Sequence, residues 1–415
     1  MKKSLSFLFI LICLASCTTE EWQVRIYTIN EPVFASKSEF RNSVKITDPV
    51  SIENQGKMCY YQGFLYISDP GKGIHIVNNN DPVNPQIVAY IELVGNNDIS
   101  IKDNILYADA LIDLVWFDIS DPAQPKLGGR LEDVFDLFYP NTNNEYACDW
   151  SAIPPDFLSN GDMLIVGWEQ VQRNEKIDND WYYENDGTIN NGGGGSQGVN
   201  GSMSRFGVYN NYLYTVINNT MNIFRLSGDS PQQAVEEEIY IGFDVETIFP
   251  YKNYMFMGTP SGLLIYSVEN PIEPTFCSMI SHVYGCDPVV VEDDVAYVTI
   301  HSGNACGQNA NELIIIDVSD VYNPRDIVTY KMTHPKGLGI DNGILFVCDD
   351  GLKVFKDAKN PIHLMTNKVA HFENIVGYDV IPYNKILMMI AEDGLYQYDY
   401  SDLTNIRLIS VIGKQ

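Results

Sequence analysis

Residues 104–125 read NILYADALIDLVWFDISDPAQP. One short apolar run, 105–108, leads through a turn into a second, 114–119, and then into an S-D-P-x-x-P turn. Runs of this length, rich in β-branched and aromatic residues, predict strands. The acidic turn has a local explanation. An Asp side chain bonds its own backbone two residues on, and Pro presets φ while donating nothing to a ladder. Asp81, Asp118 and Asp121 are therefore read as turn chemistry rather than as catalytic acids.

The same pattern recurs along the chain. It appears as FLYISDPGKGIHIVNNNDPVNP from Phe64, YLYTVINNTMNIFRLSGDSP from Tyr212 and YMFMGTPSGLLIYSVENPIEP from Tyr254. It appears again as VAYVTIHSG from Val295 resumed by LIIIDVSDVYNP from Leu313, as ILFVCDDGLKVFKDAKNP from Ile344, and as ILMMIAEDGLYQYDYSDLTN from Ile386. The equivalent positions are Leu65, Leu106, Leu213, Met255, Ala296, Leu345 and Leu387, separated by 41, 107, 42, 41, 49 and 42 residues. A period near 41 with four strand-length runs per unit predicts a seven-bladed β-propeller of four-stranded antiparallel blades. In the second unit the strands fall at about 98–102, 105–108, 114–119 and 126–131.

The unit LYxxD…GLxIxDxSDPxxP resembles the LVIVD-repeat family of exported bacterial β-propellers. GKGIHIVNNNDPVNP, NNDISIKDNILYADALIDLVWFDISDP and GCDPVVVEDDVAYVT are similar to segments of a Bacteroidetes-type lipoprotein group within it. The resemblance covers about residues 57–413, interrupted between 139 and 203. It implies the fold and export, and supplies no catalytic residues.

The N-terminus carries an address. Lys2 and Lys3 precede a ten-residue apolar run, 5–14, too short to span a bilayer as a helix. Leu14-Ala15-Ser16-Cys17 looks like a lipobox, which implies a signal peptide over 1–16 and a lipid on Cys17. Thr18-Thr19-Glu20-Glu21 resembles the surface-export signal of Bacteroidetes-type lipoproteins. An outer-membrane lipoprotein exposed at the cell surface is expected, with a periplasm-facing one as the alternative. Residues 17–43 read as a polar tether and 44–415 as the propeller.

The formal charge is −28, and loss of Lys2 and Lys3 makes it −30. Such a surface repels phosphate backbones and excludes nucleic acid as a partner. Six cysteines follow Cys17 with no C-x-x-C, so nothing supports a structural zinc or a thioredoxin-like site.

Two intervals exceed the period. One contains an insertion at about 132–203, and the other a smaller one around His301 to Glu312. The first is a connector from outer strand to next inner strand, the second a turn between the middle strands. Both decorate the same face of the disc, which becomes the expected binding face. The large insertion holds Trp150 and Trp168, read mainly as packing residues. It also holds Trp181-Tyr182-Tyr183 beside a Gly tract, read as an aromatic patch for a sugar or peptide. Cys286 starts the inner strand of the fifth unit and Cys306 lies in the small insertion of the same unit; both fall on this face and predict a disulfide closing a loop of ~20 residues.

The inner strands begin at the axis on this face. Lys57, Asp98, Arg205, Glu246, Asp287, Gly337 and Asp379 align there. They form either a polar ligand site or an ion-pair ring holding the blades in register. His282, His301, His334 and His371 lie near the face, but their unequal offsets weaken a metal reading. Calcium is a candidate near Asp293-Asp294 or Asp349-Asp350, and no other cofactor is expected. No nucleophile elbow, P-loop, dinucleotide fingerprint or zinc-protease helix appears. The sequence thus predicts a surface lipoprotein that binds an extracellular glycan, peptide or envelope protein. A polysaccharide hydrolase or lyase using the axial carboxylates is one alternative, and a scaffold of an envelope complex another. Ring closure uses either residues 43–52 as an added strand or a plain contact between units seven and one.

Overall fold

The computed structural model describes residues 24–414 except 55, 138, 141, 143–145, 158–160, 177–198, 201, 218, 228–229, 236–238, 243–244, 282–287 and 302–309. Seven antiparallel sheets follow one another around an axis as a seven-bladed β-propeller. The second blade illustrates the unit: Ile99–Lys102, Ile105–Ala110, Asp113–Asp118 and Lys126–Leu131, each paired with the next. Its two middle strands are buried on both faces, and this is why their apolar runs are continuous rather than alternating. Trp116 lies against the outer strand, where a Cβ on Gly128 or Gly129 would sit 2.5 or 2.4 Å from its indole. The Gly pair in KLGGRL is the space this indole needs.

An apolar cluster fills each of the seven blade junctions. Six of the outer strands slip register by one residue against their neighbours, as between Leu127 and Gly129. A bulge at this point increases the local twist. The Asp side chains of the outer turns do what their spacing predicts: Asp118 accepts from Ser120 N at 2.9 Å, and Asp121 from Ala123 N at 3.2 Å.

Residues at one register position, the last of the inner strand, fasten blades to their successors. The Tyr61 hydroxyl accepts from Asn104 N at 3.1 Å, and that of Tyr251 from Asp294 N at 3.2 Å. The Tyr209 hydroxyl donates to Asn253 Oδ1. Glu292 accepts from Asn342 N and Gly343 N, and Asp341 pairs with Lys385. In the seventh blade the same position is Tyr383, which packs on Tyr60 of the first blade.

Closure is a plain contact between the seventh and first blades. Ile381, Met388, Ile390 and Leu395 pack on Met58, Leu65, Ile67 and Val77. Residues 43–52 do not supply the missing strand. Lys45–Thr47 adds instead to the outer edge of the first blade, beside Gln86–Glu92. That edge is otherwise an open row of backbone donors and acceptors.

The expected tether is folded from Val24 onward. Val24–Ser36 pairs along its whole length with Met163–Lys176 of the insertion. A short helix follows, Lys37–Arg41, with a complete capping box between Ser36 and Glu39. Phe40 is buried against the first and second blades. A tether was expected because the partner strand lies more than 120 residues away. The run from Met163 is that partner. The first 23 residues lie outside the described ones, including the expected signal peptide and Cys17.

Candidate functional site

The decorated face is built around Asp113, at the turn between the middle strands of the second blade. It is buried and accepts from Arg41 Nε at 2.9 Å, Arg130 Nη1 at 2.7 Å and the Asp133 backbone N–H at 2.8 Å. Arg41 also reaches Glu132 and Asp133. A buried carboxylate holding two guanidinium groups clamps the helix and the start of the insertion onto this blade. Above the clamp, Leu164 and Val166 pack on the blade, and the paired strands run on to Val24 and Lys176. Nothing in the periodicity marked Arg41 or Asp113 as partners.

Trp150 and Trp168 pack on each other rather than on the disc. Their rings meet edge-to-face at 5.2 Å, and Tyr139 meets Trp150 at 5.4 Å. Trp168 is fixed by donating to the Pro140 carbonyl at 2.8 Å. Trp150 remains 40% exposed and presents an aromatic edge and face on the insertion. Trp181, Tyr182 and Tyr183 lie outside the described residues.

The insertion returns through the axis. Val199–Asn200 pairs with Tyr60 and Cys59 on the inner strand of the first blade. Ser202 then donates from its backbone and its hydroxyl to Asp379 Oδ1, both at 3.0 Å, and accepts from Leu338 N at 2.9 Å. The Ser204 carbonyl accepts from Ile248 N in the fourth blade. One segment therefore touches the first, fourth, sixth and seventh blades before entering the third. Gly337 is required there, because a Cβ would lie 2.4 Å from Asp379 Oδ1.

Around this plug the structure brings together Lys57, Asp98, Arg205, Glu246 and Asp379, as the alignment of inner strands predicted. Asp287 lies outside the described residues. Asp98 is buried, and Arg205 Nε stands 3.6 Å from its Oδ2, an ion pair too long for a hydrogen bond. Burial drives the Asp98 carboxyl well above the usual range, against the pull of Arg205 and Lys57. Burial pushes the Lys57 ammonium down, against Asp98 and Asp379. Asp109, absent from the predicted set, sits beside Asp98. It accepts from the backbone of Asn97 and Asp98 and from the Asn96 side chain, and burial pushes it up to about 6. Asp379 is likewise pushed up to about 6 by burial, opposed by Ser202. Asp379 is covered by Ser202 and Asp98 is buried beside Arg205, so neither lines an open channel mouth.

His301 and His334 are neighbours, with ring centroids 5.3 Å apart. His371 points elsewhere, its Nε2 2.7 Å from the Asp350 carbonyl, and His282 lies outside the described residues. Among the described residues no three acidic, His or Cys groups converge as metal ligands. Three of the four calcium candidates pair with lysines: Asp293 with Lys359, Asp294 with Lys252 and Asp349 with Lys353. Cys286 and Cys306 lie outside the described residues. Cys59 and Cys348 are buried, and Cys148 and Cys277 are half-buried.

No protein-family model matches the chain, and no curated protein sequence matches it. Among solved structures it is similar to the computationally designed Ika8 protein, at 9% identity and a TM-score of 0.48, over 88% of this chain and 90% of that one. It is similar to Kluyveromyces lactis Hsv2 at 12% identity and 0.45, over 86% and 98%. It is also similar to BamB from Moraxella catarrhalis at 10% identity and 0.46, over 88% of each chain.

Proposed function

We propose that this protein is a lipid-anchored, surface-exposed binding module of the cell envelope. Its decorated face recognises an extracellular glycan, peptide or envelope protein. The observation that carries the reading is the paired ribbon of Val24–Ser36 and Met163–Lys176. The N-terminal segment and the longest insertion, joined at a pair of residues 127 positions apart, Ser36 and Met163, combine on one face. Together they present Trp150 there, braced by Trp168 and Tyr139. An exposed aromatic on a rigid support is a common recognition device, because it offers large contact area at low entropic cost. Only six residues separate Cys17 from Val24, so a lipid on Cys17 would tether the molecule through this ribbon.

The axial carboxylates support a hydrolase or lyase less well. Asp98 and Asp379 are both buried, Asp379 under Ser202 of the returning insertion and Asp98 beside Arg205. The anchor is tested by metabolic labelling with a palmitate analogue and by protease treatment of intact cells. Wild type should be labelled and shaved from the surface, and Cys17→Ala should be unlabelled. Labelling that survives in Cys17→Ala, or full protection of the wild-type propeller from protease, would overturn the reading.

A further inference from the structure

The undecorated face has a site of its own. A cleft of about 270 Å³ opens between the fourth and fifth blades, among the turns of that face. Tyr251 and Tyr254 come from the first hairpin of the fourth blade, and Asp294 from the equivalent hairpin of the fifth. Asp320 and Tyr322 come from the outer turn of the fifth blade. Val318 and Val321 are buried at its base.

Three properties of this cleft point the same way. The first is charge. Among the lining residues Asp294 pairs with Lys252 and Asp320 adds a second carboxylate, leaving one negative charge in excess in the lining of a chain that is already −28. Asp320 is held below the usual carboxylate range by the Asn323 side chain and the Tyr322 N–H, so it stays ionised. The second is the rings. Lys252 Nζ already stands 5.1 Å from the Tyr251 ring centroid, so an aromatic wall here accepts a cation. Tyr254 and Tyr322 offer two more rings, and Tyr322 is 61% exposed.

The third is size and surroundings. The cavity falls below the ~300–1,000 Å³ of sites that enclose whole small ligands, and suits one side chain. The outer turns and strands of three successive blades carry exposed apolar residues: Ile272 and Phe276 in the fourth, Tyr322 of the cleft itself in the fifth, and Ile362 in the sixth. Isolated exposed apolar residues are ordinary, but a row centred on a charged aromatic cleft forms a surface.

We infer that this cleft receives an arginine or lysine side chain of a partner protein, whose flanking apolar residues lie along the rim of the fourth to sixth blades. The surface is independent of the decorated face. It would give the disc two partners on opposite sides.

The test is fluorescence anisotropy of the full chain with two labelled peptides, LVRVL and LVQVL. The arginine peptide should bind about tenfold or more tightly than the glutamine peptide, and added salt should weaken it. Asp320→Asn and Tyr322→Ala should each weaken it by about tenfold. Asp320→Asn keeps an acceptor for the Tyr322 N–H and Tyr322 is exposed, so a melting temperature near that of wild type, measured for both variants, separates lost binding from a disturbed turn. Equal binding of the two peptides would overturn the inference, as would binding indifferent to both variants. Tyr322-dependent binding of cellohexaose in place of the peptides would also overturn it, assigning the cleft to a sugar.

Discussion

Asn79 and Gln397 exchange two hydrogen bonds across the junction of the first and last blades. Asn79 Nδ2 donates to Gln397 Oε1 at 2.9 Å, and Gln397 Nε2 donates to Asn79 Oδ1 at 2.7 Å. Both side chains are buried, and 318 residues separate them. Ser410 adds a bond from its hydroxyl to the Pro82 carbonyl at 2.6 Å. A ring closed without a shared strand depends on such contacts together with the apolar cluster beneath them. Gln397→Leu orphans a buried amide and should cost about 1–3 kcal/mol in urea unfolding. Asn79→Leu with Gln397→Leu should cost less than the sum of the single changes. Strict additivity would show that the amide pair does not act as a unit.

Asp113 should be the residue on which the decorated face most depends. Asp113→Ala leaves two guanidinium groups facing each other without their shared carboxylate, at a cost of about 3 kcal/mol or more. Limited proteolysis should then cut near Arg41 before it cuts any blade. A variant as protease-resistant as wild type would show that the ribbon is held by Phe40 and Leu164 alone.

The axial acids should leave a mark on pH dependence. Asp109 and Asp379 have folded values near 6 against an ordinary 3.8, so the folded state binds their protons more tightly than the unfolded chain does. Their contribution to stability is therefore present at low pH and lost as pH rises from about 4 to about 6. The loss across that window is on the order of 3 kcal/mol for each group. Carboxyl 13C titration should show both midpoints near 6, and Asp109→Asn should flatten the slope of stability in that window. Midpoints near 4 would contradict the burial argument.

Gly337→Ala probes the plug. The added Cβ meets Asp379 Oδ1 at 2.4 Å and the Tyr378 carbonyl at 2.6 Å, so Asp379 and Ser202 must move apart. Overpacking of this kind costs about 1–3 kcal/mol. Amide exchange should accelerate at Ser202 and Leu338 before it does in the middle strands. Unchanged exchange at Leu338 would show that Ser202 is not its partner in solution.

The blades were legible because each repeats one local instruction: an apolar run, a turn, a second run and an Asp turn. Leu106, Leu114 and Asp121 all lie where that pattern puts them. What the sequence hid depends on distant pairing. Val24–Ser36 looks like a tether until Met163–Lys176 lies beside it. Ser202 looks like linker until Asp379 reaches it across the axis. The fastening position was visible in principle, since Tyr61, Tyr209, Tyr251 and Tyr383 share one register. The axial set was found by aligning the inner strands, yet alignment gave position without depth. Only the contacts of Ser202 and Arg205 show that Asp379 and Asp98 are interior.

The decorated face as the binding face is tested most directly by photo-crosslinking in intact cells. A photoreactive residue replaces Ala152, exposed beside Trp150 on that face, or Ala123 on the outer turn of the second blade on the opposite face. One defined crosslinked species is expected from position 152, abolished by Trp168→Ala, and no such species from position 123. The same species from both positions, or from position 123 alone, would contradict it.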